Sequence, residues 1–249
     1  MSQGISSPRI LVVGASAGIG RAFAKHSIAA GAQVCVAARR RERLVELCDE
    51  AGGGHIVTGD VSSAADCRRL VVEAAEHLGE IDVLLYAAGV AAMSPIEAIE
   101  PDLWRRDFDV NVIGANLVCA AALPVLSPNG LVAFISSEST AETRWGLASY
   151  AASKSALDAS IRHWRHEHPE RRFQRIVMGA TIPTEFGDQF PADVLHLALD
   201  RWIASGISMA AMETDDVGRQ LSELLAVMWN HPNVDVPDLC LDPRGGPWA

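Results

Sequence analysis

Short apolar runs alternate with longer segments of helical periodicity along most of this chain. Each run is nearly continuous in apolar residues and does not alternate apolar with polar positions, which is typical of strands buried on both faces of a parallel sheet. Six such strands are predicted, and a seventh lies near the end of the chain. They cover residues 10–14, 33–38, 55–60, 81–89, 130–137, 173–179 and 238–242.

Apolar residues spaced three or four positions apart predict helices between these strands. Their apolar faces are Ile19, Phe23 and Ile28 in the first helix, Leu44, Leu47 and Cys48 in the second, and Leu70, Val71, Ala74 and Leu78 in the third. Two longer helices are predicted over 102–122 and 148–168. This alternation implies βαβ units with right-handed crossovers. We therefore predict an α/β fold: a Rossmann-type, doubly wound parallel sheet of about seven strands with helices on both faces.

A chain of 249 residues is long enough for one large α/β domain, and we expect residues 1–249 to form a single domain. The formal net charge of -10 makes nucleic acids and anionic membranes poor partners. The five cysteines lack C-x-x-C spacing, which favours free thiols in a reducing compartment. The first residues lack a secretory signal, and no stretch approaches the roughly 18 apolar residues of a membrane span. We therefore expect a soluble, cytoplasmic protein.

The segment VVGASAGIG places three glycines between the first strand and the first helix, with the spacing G-x-x-x-G-x-G. Glycines allow a tight turn and let a pyrophosphate approach the backbone, and the helix N-terminus offers free N–H groups and a positive dipole end. A plain turn is the alternative, but a turn that follows a strand and opens a helix favours dinucleotide binding. The predicted phosphate-binding residues are Gly14, Ser16, Ala17, Gly18, Ile19 and Gly20.

The end of the second strand selects the cofactor. An acidic residue there would accept hydrogen bonds from the adenosine ribose and favour NAD. Here Ala38 is followed by Arg39 and Arg40, and a guanidinium can hold a 2′-phosphate bidentately. We predict NADP(H) as the cofactor, held by these three residues. Arg41 and Arg43 are predicted to remain solvated at the start of the next helix.

Asp60 ends the third predicted strand and is followed by Val61. A carboxylate at this edge could accept a hydrogen bond from an adenine amino group, so both residues are candidates for cofactor binding. The alternative is that Asp60 caps the following helix, a function that Ser62 or Ser63 could perform instead.

Tyr150 and Lys154 in the segment YAASK are four positions apart and share one face of a predicted helix. A tyrosine of ordinary pKa, about 10, is a poor acid at neutral pH, whereas a nearby ammonium lowers that pKa. Such a tyrosine could exchange a proton with a substrate oxygen. Ser137, at the end of the preceding strand, could hydrogen-bond the same oxygen and polarise a carbonyl. Ser136 is the less favoured alternative for this position.

Taken in order, these segments resemble the short-chain dehydrogenase/reductase family, in its compact single-domain group. The resemblance covers about residues 8–185 and rests on GASAGIG at 14–20, Asp60-Val61, AAG at 87–89, Asn111 in DFDVNVIG, ISS ending at Ser137, and YAASK. Two segments depart from the family pattern. The usual NNAG is YAAG at 86–89, and the usual Pro-Gly after the sixth strand is Met178-Gly179.

The resemblance implies a function for each matching position. Tyr150 is then the general acid in reduction and the base in oxidation, and Lys154 binds the nicotinamide ribose and lowers the tyrosine pKa. Ser137 orients the substrate oxygen, and Asn111 holds a water that links Lys154 to solvent. The resemblance adds to the cofactor-binding set Ala87, Ala88, Gly89, Asn111, Ile182 and Thr184, together with Tyr150 and Lys154.

The activity implied is that of an NADP-dependent oxidoreductase that interconverts a ketone and a secondary alcohol on a small-molecule substrate. The alternative is a non-catalytic NADP-binding or sensing protein on the same scaffold, which the intact tyrosine–lysine pair disfavours. We predict no metal site, because His163, His166 and His168 lie on a charged helix end where solvated roles are favoured.

By the same resemblance, residues 185–214 form a lid over the substrate. This segment is rich in apolar residues, which suggests an apolar or mixed substrate, although most of them can equally form the core of the lid. The resemblance also implies a homodimer or homotetramer, built on the helices that end near Ala122 and His168.

Overall fold

A computed structural model describes residues 7–244 of the chain. Its main sheet has seven strands that all run parallel, in the order β3-β2-β1-β4-β5-β6-β9. The strands of this sheet are β1 (Arg9–Val13), β2 (Gln33–Ala38), β3 (His55–Thr58), β4 (Ile81–Tyr86), β5 (Leu126–Ile135), β6 (Arg172–Met178) and β9 (Asp238–Leu241). A separate two-stranded sheet joins β7 (Thr181–Ile182) to β8 (Met212–Glu213). The strand order reverses beside β1, which is where Rossmann-type sheets bind dinucleotides.

The helices lie on both faces of the sheet, as predicted. They are α1 (Gly18–Ala29), α2 (Arg41–Ala51), α3 (Ala64–Leu78), α4 (Pro101–Phe108), α5 (Ala115–Ala122), α6 (Ala148–Glu167), α7 (Ala192–Ala204) and α8 (Thr214–Asn230). Neighbouring residues of β1 enter opposite cores: Leu11 packs with α3, α5 and α6, and Val12 packs with α1, α2 and α8. Burial on both faces explains why the strands are continuously apolar in sequence.

The predicted helix over 102–122 contains an irregularity. A π-helical turn, Asp109–Gly114, separates α4 from α5. Gly114 in this turn lies so close to Val61 and Tyr86 that a Cβ would meet the Val61 carbonyl oxygen at 2.5 Å and the Tyr86 hydroxyl at 2.9 Å. The helical pattern in the sequence was therefore correct, but nothing in its periodicity indicated the wider turn.

The same helical run contradicts one expectation from the sequence. Pro101–Val125 is long and apolar enough to cross a membrane by length and composition, with a mean hydropathy of 1.6 over its most apolar window. Asn111, Gly114 and Asn116 break the series of apolar residues in the sequence. Because they carry no charge, they do not bring the mean hydropathy of the segment below the criterion. Core helices of globular proteins meet the same criterion, and here Val118, Cys119 and other residues of the run pack into the core beneath the sheet.

Two elements near the end of the chain were not predicted. In α8, Val217, Leu221 and Leu225 recur every four positions and are buried, a helical signal present in the sequence. Gly218 lets α8 approach α1 closely, because a Cβ there would lie 2.4 Å from the Cβ of Ala22. Strand β8 has only two residues, too few to show a periodicity.

Candidate active site

A cleft of about 860 Å³ opens at the carboxyl ends of the strands, beside the reversal of strand order. Nearly all of the predicted cofactor-binding and catalytic residues line it. They are Gly14, Ser16, Ala17, Gly18, Ile19, Ala38, Arg39, Arg40, Asp60, Val61, Ala87, Ala88, Gly89, Ser137, Tyr150, Lys154, Ile182 and Thr184. The cleft thus brings together segments that lie more than 160 positions apart in the sequence.

The glycine turn presents free backbone donors to this cleft. The N–H groups of Ser16 and Ala17 donate to no other described residue, and α1 begins without a side-chain cap or an acidic residue in its first turn. Gly14 has a φ of +94°, and a Cβ there would lie 2.4 Å from the backbone nitrogen of Ala88. Unpaired N–H groups at a helix N-terminus fit an anionic diphosphate. The residues present therefore suit the phosphates of a dinucleotide.

Gly20 is not among the residues that line the cleft, and its part in cofactor binding stays a prediction. A Cβ at this position would lie 2.4 Å from the carbonyl oxygen of Gly14 and 3.1 Å from the Cβ of Ala87. The glycine is needed because α1 packs closely against the turn that precedes it and against the end of β4.

The end of the cleft beside the carboxyl end of β2 is called the adenosine end, because the adenosine of the cofactor is expected there. The basic residues that follow β2 differ in whether their side chains are already paired. Arg39 has a side chain that is 67% exposed and lies 3.8 Å from Asp60. Arg40 is engaged: its Nη2 donates to the hydroxyl of Ser16 at 3.0 Å and lies 2.6 Å from the carboxylate of Glu185. Arg43, predicted to be only solvated, lies 3.8 Å from the same carboxylate.

Asp60 does not cap the following helix. Its carboxylate accepts hydrogen bonds from the backbone N–H and the hydroxyl of Ser62, whereas Ser63 is the N-cap of α3 and accepts from the Asp66 N–H. Asp60 therefore lines the cleft with a carboxylate that its own loop holds in place.

The reacting end of the cleft contains Ser137, Tyr150 and Lys154, all of them buried. Lys154 Nζ donates to the carbonyl oxygen of Ile135 at 2.8 Å and lies 5.8 Å from the centre of the Tyr150 ring. The hydroxyl oxygen of Ser137 accepts from the Ser139 N–H at 3.1 Å, which leaves its own proton for another acceptor.

Ser136 is engaged away from the reacting end. Its hydroxyl donates to the buried carboxylate of Asp158 at 2.6 Å, and Arg175 pairs with the other oxygen of that carboxylate at 2.9 Å. Of the two adjacent serines, Ser137 is thus the one with a hydroxyl proton to spare.

The pKa values of the pair depart from the expectation that the ammonium lowers the tyrosine pKa. Burial raises the pKa of Tyr150 to about 12, while the nearby Ser137 hydroxyl lowers it in part. Burial also lowers the pKa of Lys154 to about 8, against a raising effect of Asp158. The expected lowering of the tyrosine pKa is not seen for the protein groups alone, because desolvation is the largest cause of both shifts and favours the neutral form of each side chain.

Asn111 lies behind the cleft and is not among the residues that line it, and its contact with the cofactor stays a prediction. It is completely buried in the π-helical turn. Its amide accepts from the N–H of Val90 at 2.9 Å and donates to the Val90 carbonyl at 2.8 Å and to Ser153 at 2.9 Å. These bonds fix the loop after Gly89 against α6. Its predicted link to Lys154 through a water stays a prediction.

The departure from the usual NNAG segment has a visible compensation. Tyr86 is buried at the end of β4, and its hydroxyl donates to the carbonyl oxygen of Val110 at 2.6 Å. This bond ties the central sheet to the π-helical turn. After β6, the altered Met178-Gly179 pair leads into β7, and Thr184 lies against the glycine turn, with its methyl 3.6 Å from where a Gly18 Cβ would stand.

Three further residues at the cleft or beneath it were not predicted. Asp107 is completely buried and accepts from the Ser149 hydroxyl at 2.6 Å and from the Ala92 N–H at 3.1 Å. Arg144 lines the cleft and lies 2.7 Å from the carboxylate of Glu138, whose pKa is raised by burial. The spacing of these polar residues in the sequence does not indicate their function, because each of them meets its partner only in the folded chain.

The segment predicted to form a lid lies directly against Tyr150. The ring of Phe186 meets the ring of Tyr150 edge-on, with their centres 5.0 Å apart. Phe190, Leu195 and Trp202 continue this apolar wall into the cleft. The substrate end is therefore mainly apolar, with the Glu138–Arg144 pair as its charged element.

This chain is similar to several known oxidoreductases. A family profile described as short chain dehydrogenase matches residues 8–193. The chain is 37% identical over 164 residues to 11-beta-hydroxysteroid dehydrogenase 1A of Arabidopsis thaliana, a match covering 63% of this chain and 47% of that protein. It is 31% identical over 226 residues to glucose 1-dehydrogenase of Gluconobacter oxydans, a match covering 82% of this chain and 85% of that protein. The chain thus spans about half the length of the plant relative.

A solved structure shares the fold across nearly the whole chain. It is an alcohol dehydrogenase from the archaeon Thermococcus sibiricus, complexed with 5-hydroxy-NADP. The TM-score is 0.81, and the match covers 95% of this chain and 96% of the archaeal one at 24% identity. At this identity the likeness shows the fold, which agrees with the seven-stranded sheet described above.

Proposed function

Because the chain belongs to the short-chain dehydrogenase family, we propose that it is an NADP(H)-dependent oxidoreductase that interconverts a ketone and a secondary alcohol. The observation that carries the proposal is the meeting of Ser137, Tyr150 and Lys154, all buried, in the same cleft as the glycine turn. A protein that only binds a dinucleotide has no need of a tyrosine hydroxyl and a serine proton placed together at the reacting end.

The cofactor would be held by groups that the chain already presents. The free N–H groups of Ser16 and Ala17 suit its phosphates, and the guanidinium of Arg39 suits a 2′-phosphate. An ammonium has three donors, and Lys154 gives one of them to Ile135, which leaves two for ribose hydroxyls. When bound, the nicotinamide supplies the hydride to the carbonyl carbon or accepts it from the alcohol.

The protein groups supply the proton and stabilise the oxygen. In reduction, the Tyr150 hydroxyl donates its proton to the substrate oxygen as negative charge develops there, and the spare Ser137 proton hydrogen-bonds the same oxygen. In oxidation, Tyr150 takes the proton back. Because burial holds the tyrosine pKa at about 12, the phenolate needs positive charge beside it, which the Lys154 ammonium provides.

The substrate would be a small molecule with an apolar group beside its carbonyl. Phe186, Phe190, Leu195 and Trp202 line this end of the cleft and favour such a group. An aromatic or alicyclic ketone fits this wall better than a highly charged one, because Arg144 is already paired with Glu138 and Glu142.

The experiment begins with titration of the wild-type protein with NADPH and, in parallel, with NADH, followed by nicotinamide fluorescence. The proposal expects tighter binding of NADPH, and equal affinity would contradict the part given to Arg39. NADPH oxidation is then measured against a panel of apolar ketones and charged oxo acids. Absence of turnover on every carbonyl, with NADPH binding intact, would instead favour the non-catalytic binding protein.

We also propose that the protein is a cytoplasmic homo-oligomer. Only 33% of the apolar window in Pro101–Val125 is buried within one chain, and Ile113 in this run is 50% exposed. A second copy of the chain would cover this apolar surface. Light scattering during size-exclusion chromatography checks this, and a monomeric mass at micromolar concentration would contradict it.

A further inference from the structure

Glu185 places a negative charge among the basic residues of the adenosine end. It opens the short turn Glu185–Gly187 at the start of the lid segment and lines the cleft. Its two carboxylate oxygens lie 2.6 Å from Nη2 of Arg40 and 3.8 Å from Nη2 of Arg43. The sequence separates these partners by 185 − 40 = 145 positions, so the contact exists only because the lid folds back over the end of β2.

Glu185 and Ser16 occupy one nitrogen of the Arg40 guanidinium. A guanidinium has five N–H donors, and the two on Nη2 of Arg40 have Ser16 and Glu185 as partners. The other three have no partner among the described residues, so the carboxylate occupies the Nη2 donors and offsets part of the positive charge. A 2′-phosphate between the glycine turn and β2 would need donors from the same guanidinium. The carboxylate and the phosphate therefore compete for one cation, because both are oxyanions that accept the same charge-assisted hydrogen bonds.

From this geometry we propose that Glu185 is an intramolecular competitor of the cofactor's 2′-phosphate and thereby sets how strongly the enzyme prefers NADP(H) to NAD(H). The inference rests on the proposed function. NADPH must displace the carboxylate from Nη2 of Arg40 before its phosphate can use those donors and the full positive charge of the guanidinium. NADH has no 2′-phosphate and leaves the Arg40–Glu185 pair intact. The preference for NADPH is thus smaller than the two adjacent arginines would give alone.

The size of the effect follows from the exposure of the pair. The side chains of Arg40 and Glu185 are 48% and 39% exposed, so water and salt screen their attraction. Exposed ion pairs of this kind change an equilibrium by about two- to fivefold. Removing the carboxylate should tighten NADPH binding by that factor.

The test uses Glu185→Gln, which keeps the shape of the side chain and removes its charge. Dissociation constants for NADPH, NADH and adenosine 2′,5′-bisphosphate are measured for the wild type and the variant. We expect the constants for NADPH and the bisphosphate to fall by about two- to fivefold and the constant for NADH to change by less than about 1.5-fold. The matched control is Asp193→Asn, an exposed carboxylate on the same lid with no ion pair among the described residues, which should change none of the three.

A second variant separates competition from a general change of charge. In an Arg40→Ala background, Glu185→Gln should no longer tighten NADPH binding, because the cation for which the two anions compete is gone. If Glu185→Gln tightened NADPH and NADH binding equally, the inference would be overturned. Weaker binding of both dinucleotides would also overturn it, because Glu185 would then help to hold the cofactor in the cleft.

These results keep the inference apart from the proposed function. If wild-type protein binds NADPH and turns over ketones while Glu185→Gln binds NADPH no more tightly, the competition is disproved and the function stands. If the wild type binds neither dinucleotide, both fail.

Discussion

The carboxylate of Asp107 accepts a hydrogen bond of 2.6 Å from the hydroxyl of Ser149, the residue immediately before Tyr150. The other partner of the same carboxylate oxygen is the N–H of Ala92, in a loop beside the cleft. One buried side chain of α4 thus fixes both the start of α6 and the loop that follows β4. We expect the position of Tyr150 to depend on this bond, although Asp107 does not itself line the cleft.

Replacement of Asp107 should therefore destabilise the fold at the site. In Asp107→Ala, the buried Ala92 N–H and the Ser149 hydroxyl lose their acceptor, and each unsatisfied buried group costs about 1–3 kcal/mol. We expect the free energy of unfolding in urea to fall by at least about 2 kcal/mol. The control is Asp102→Ala on the same helix, where the side chain is 91% exposed, and its loss should stay within about 0.5 kcal/mol. Similar losses for the two variants would show that Asp107 fixes nothing.

Replacement of Tyr150 by phenylalanine should abolish proton transfer while leaving the cofactor site in place. A positioned general acid contributes about 10²- to 10⁴-fold, so kcat for ketone reduction should fall by that factor. The NADPH dissociation constant should change by less than about twofold, because Tyr150 lies at the reacting end and not at the phosphates. Turnover and fluorescence titration measure the two quantities. A variant that reduces ketones as fast as the wild type would exclude Tyr150 as the acid.

The chain offers a matched control, since Tyr86 is its other tyrosine. Tyr86→Phe removes a buried hydroxyl that donates to the Val110 carbonyl at 2.6 Å. We expect a loss of about 1–3 kcal/mol in the free energy of unfolding, with kcat unchanged at temperatures where the variant is folded. Together the two variants separate a tyrosine used for chemistry from one used for structure.

The fold could be predicted from the sequence because burial on both faces of a parallel sheet leaves an unmistakable run of apolar residues at each strand. The strand ends were predicted less well. Residues 87–89 and 136–137 were assigned to strands, whereas β4 ends at Tyr86 and β5 at Ile135. These overrun residues line the cleft. Apolar and small side chains continue past the sheet there because the backbone itself must face a ligand.

The site could be predicted where its residues lie in short linear motifs, as in the glycine turn and in Tyr150 with Lys154. It could not be predicted where partners meet only through the fold. Asp107 and Ser149 are 42 positions apart, and nothing in their spacing relates them. The rise in the pKa of Tyr150 could not be predicted either, because burial, its largest cause, is not visible in the sequence.

The close approach of Gly14 to the end of β4 predicts a large cost for any side chain there. An alanine Cβ would lie 2.4 Å from the Ala88 nitrogen, and φ is +94°. Gly52 has a φ of +76°, and a Cβ built there would have no atom within 4 Å. An alanine at position 52 would therefore cost only the backbone strain of a positive φ. We expect Gly52→Ala to cost about 1–2 kcal/mol and Gly14→Ala to cost at least about 2 kcal/mol more. Equal unfolding free energies for the two variants would mean that the contact with Ala88 yields without cost.

The lowered pKa of Lys154 predicts how stability changes with pH. The pKa is about 8 in the folded protein and near 10.5 for the ordinary side chain. Between these values the unfolded chain binds the proton and the folded chain does not. The contribution of this lysine to stability therefore increases as pH rises from about 8 to about 10.5, and below pH 8 burial of the charged ammonium lowers stability by a constant amount.

Lys154→Met removes this titration and keeps a long apolar side chain. The free energy of unfolding is measured in urea for both proteins between pH 7 and pH 10, and the difference between them is compared so that other titrating groups cancel. We expect the free energy of unfolding of the wild type, minus that of Lys154→Met, to increase as pH rises above about 8. Below pH 8 this difference should be constant. A difference independent of pH across this range would place the Lys154 pKa at its ordinary value and leave the ammonium fully charged beside Tyr150.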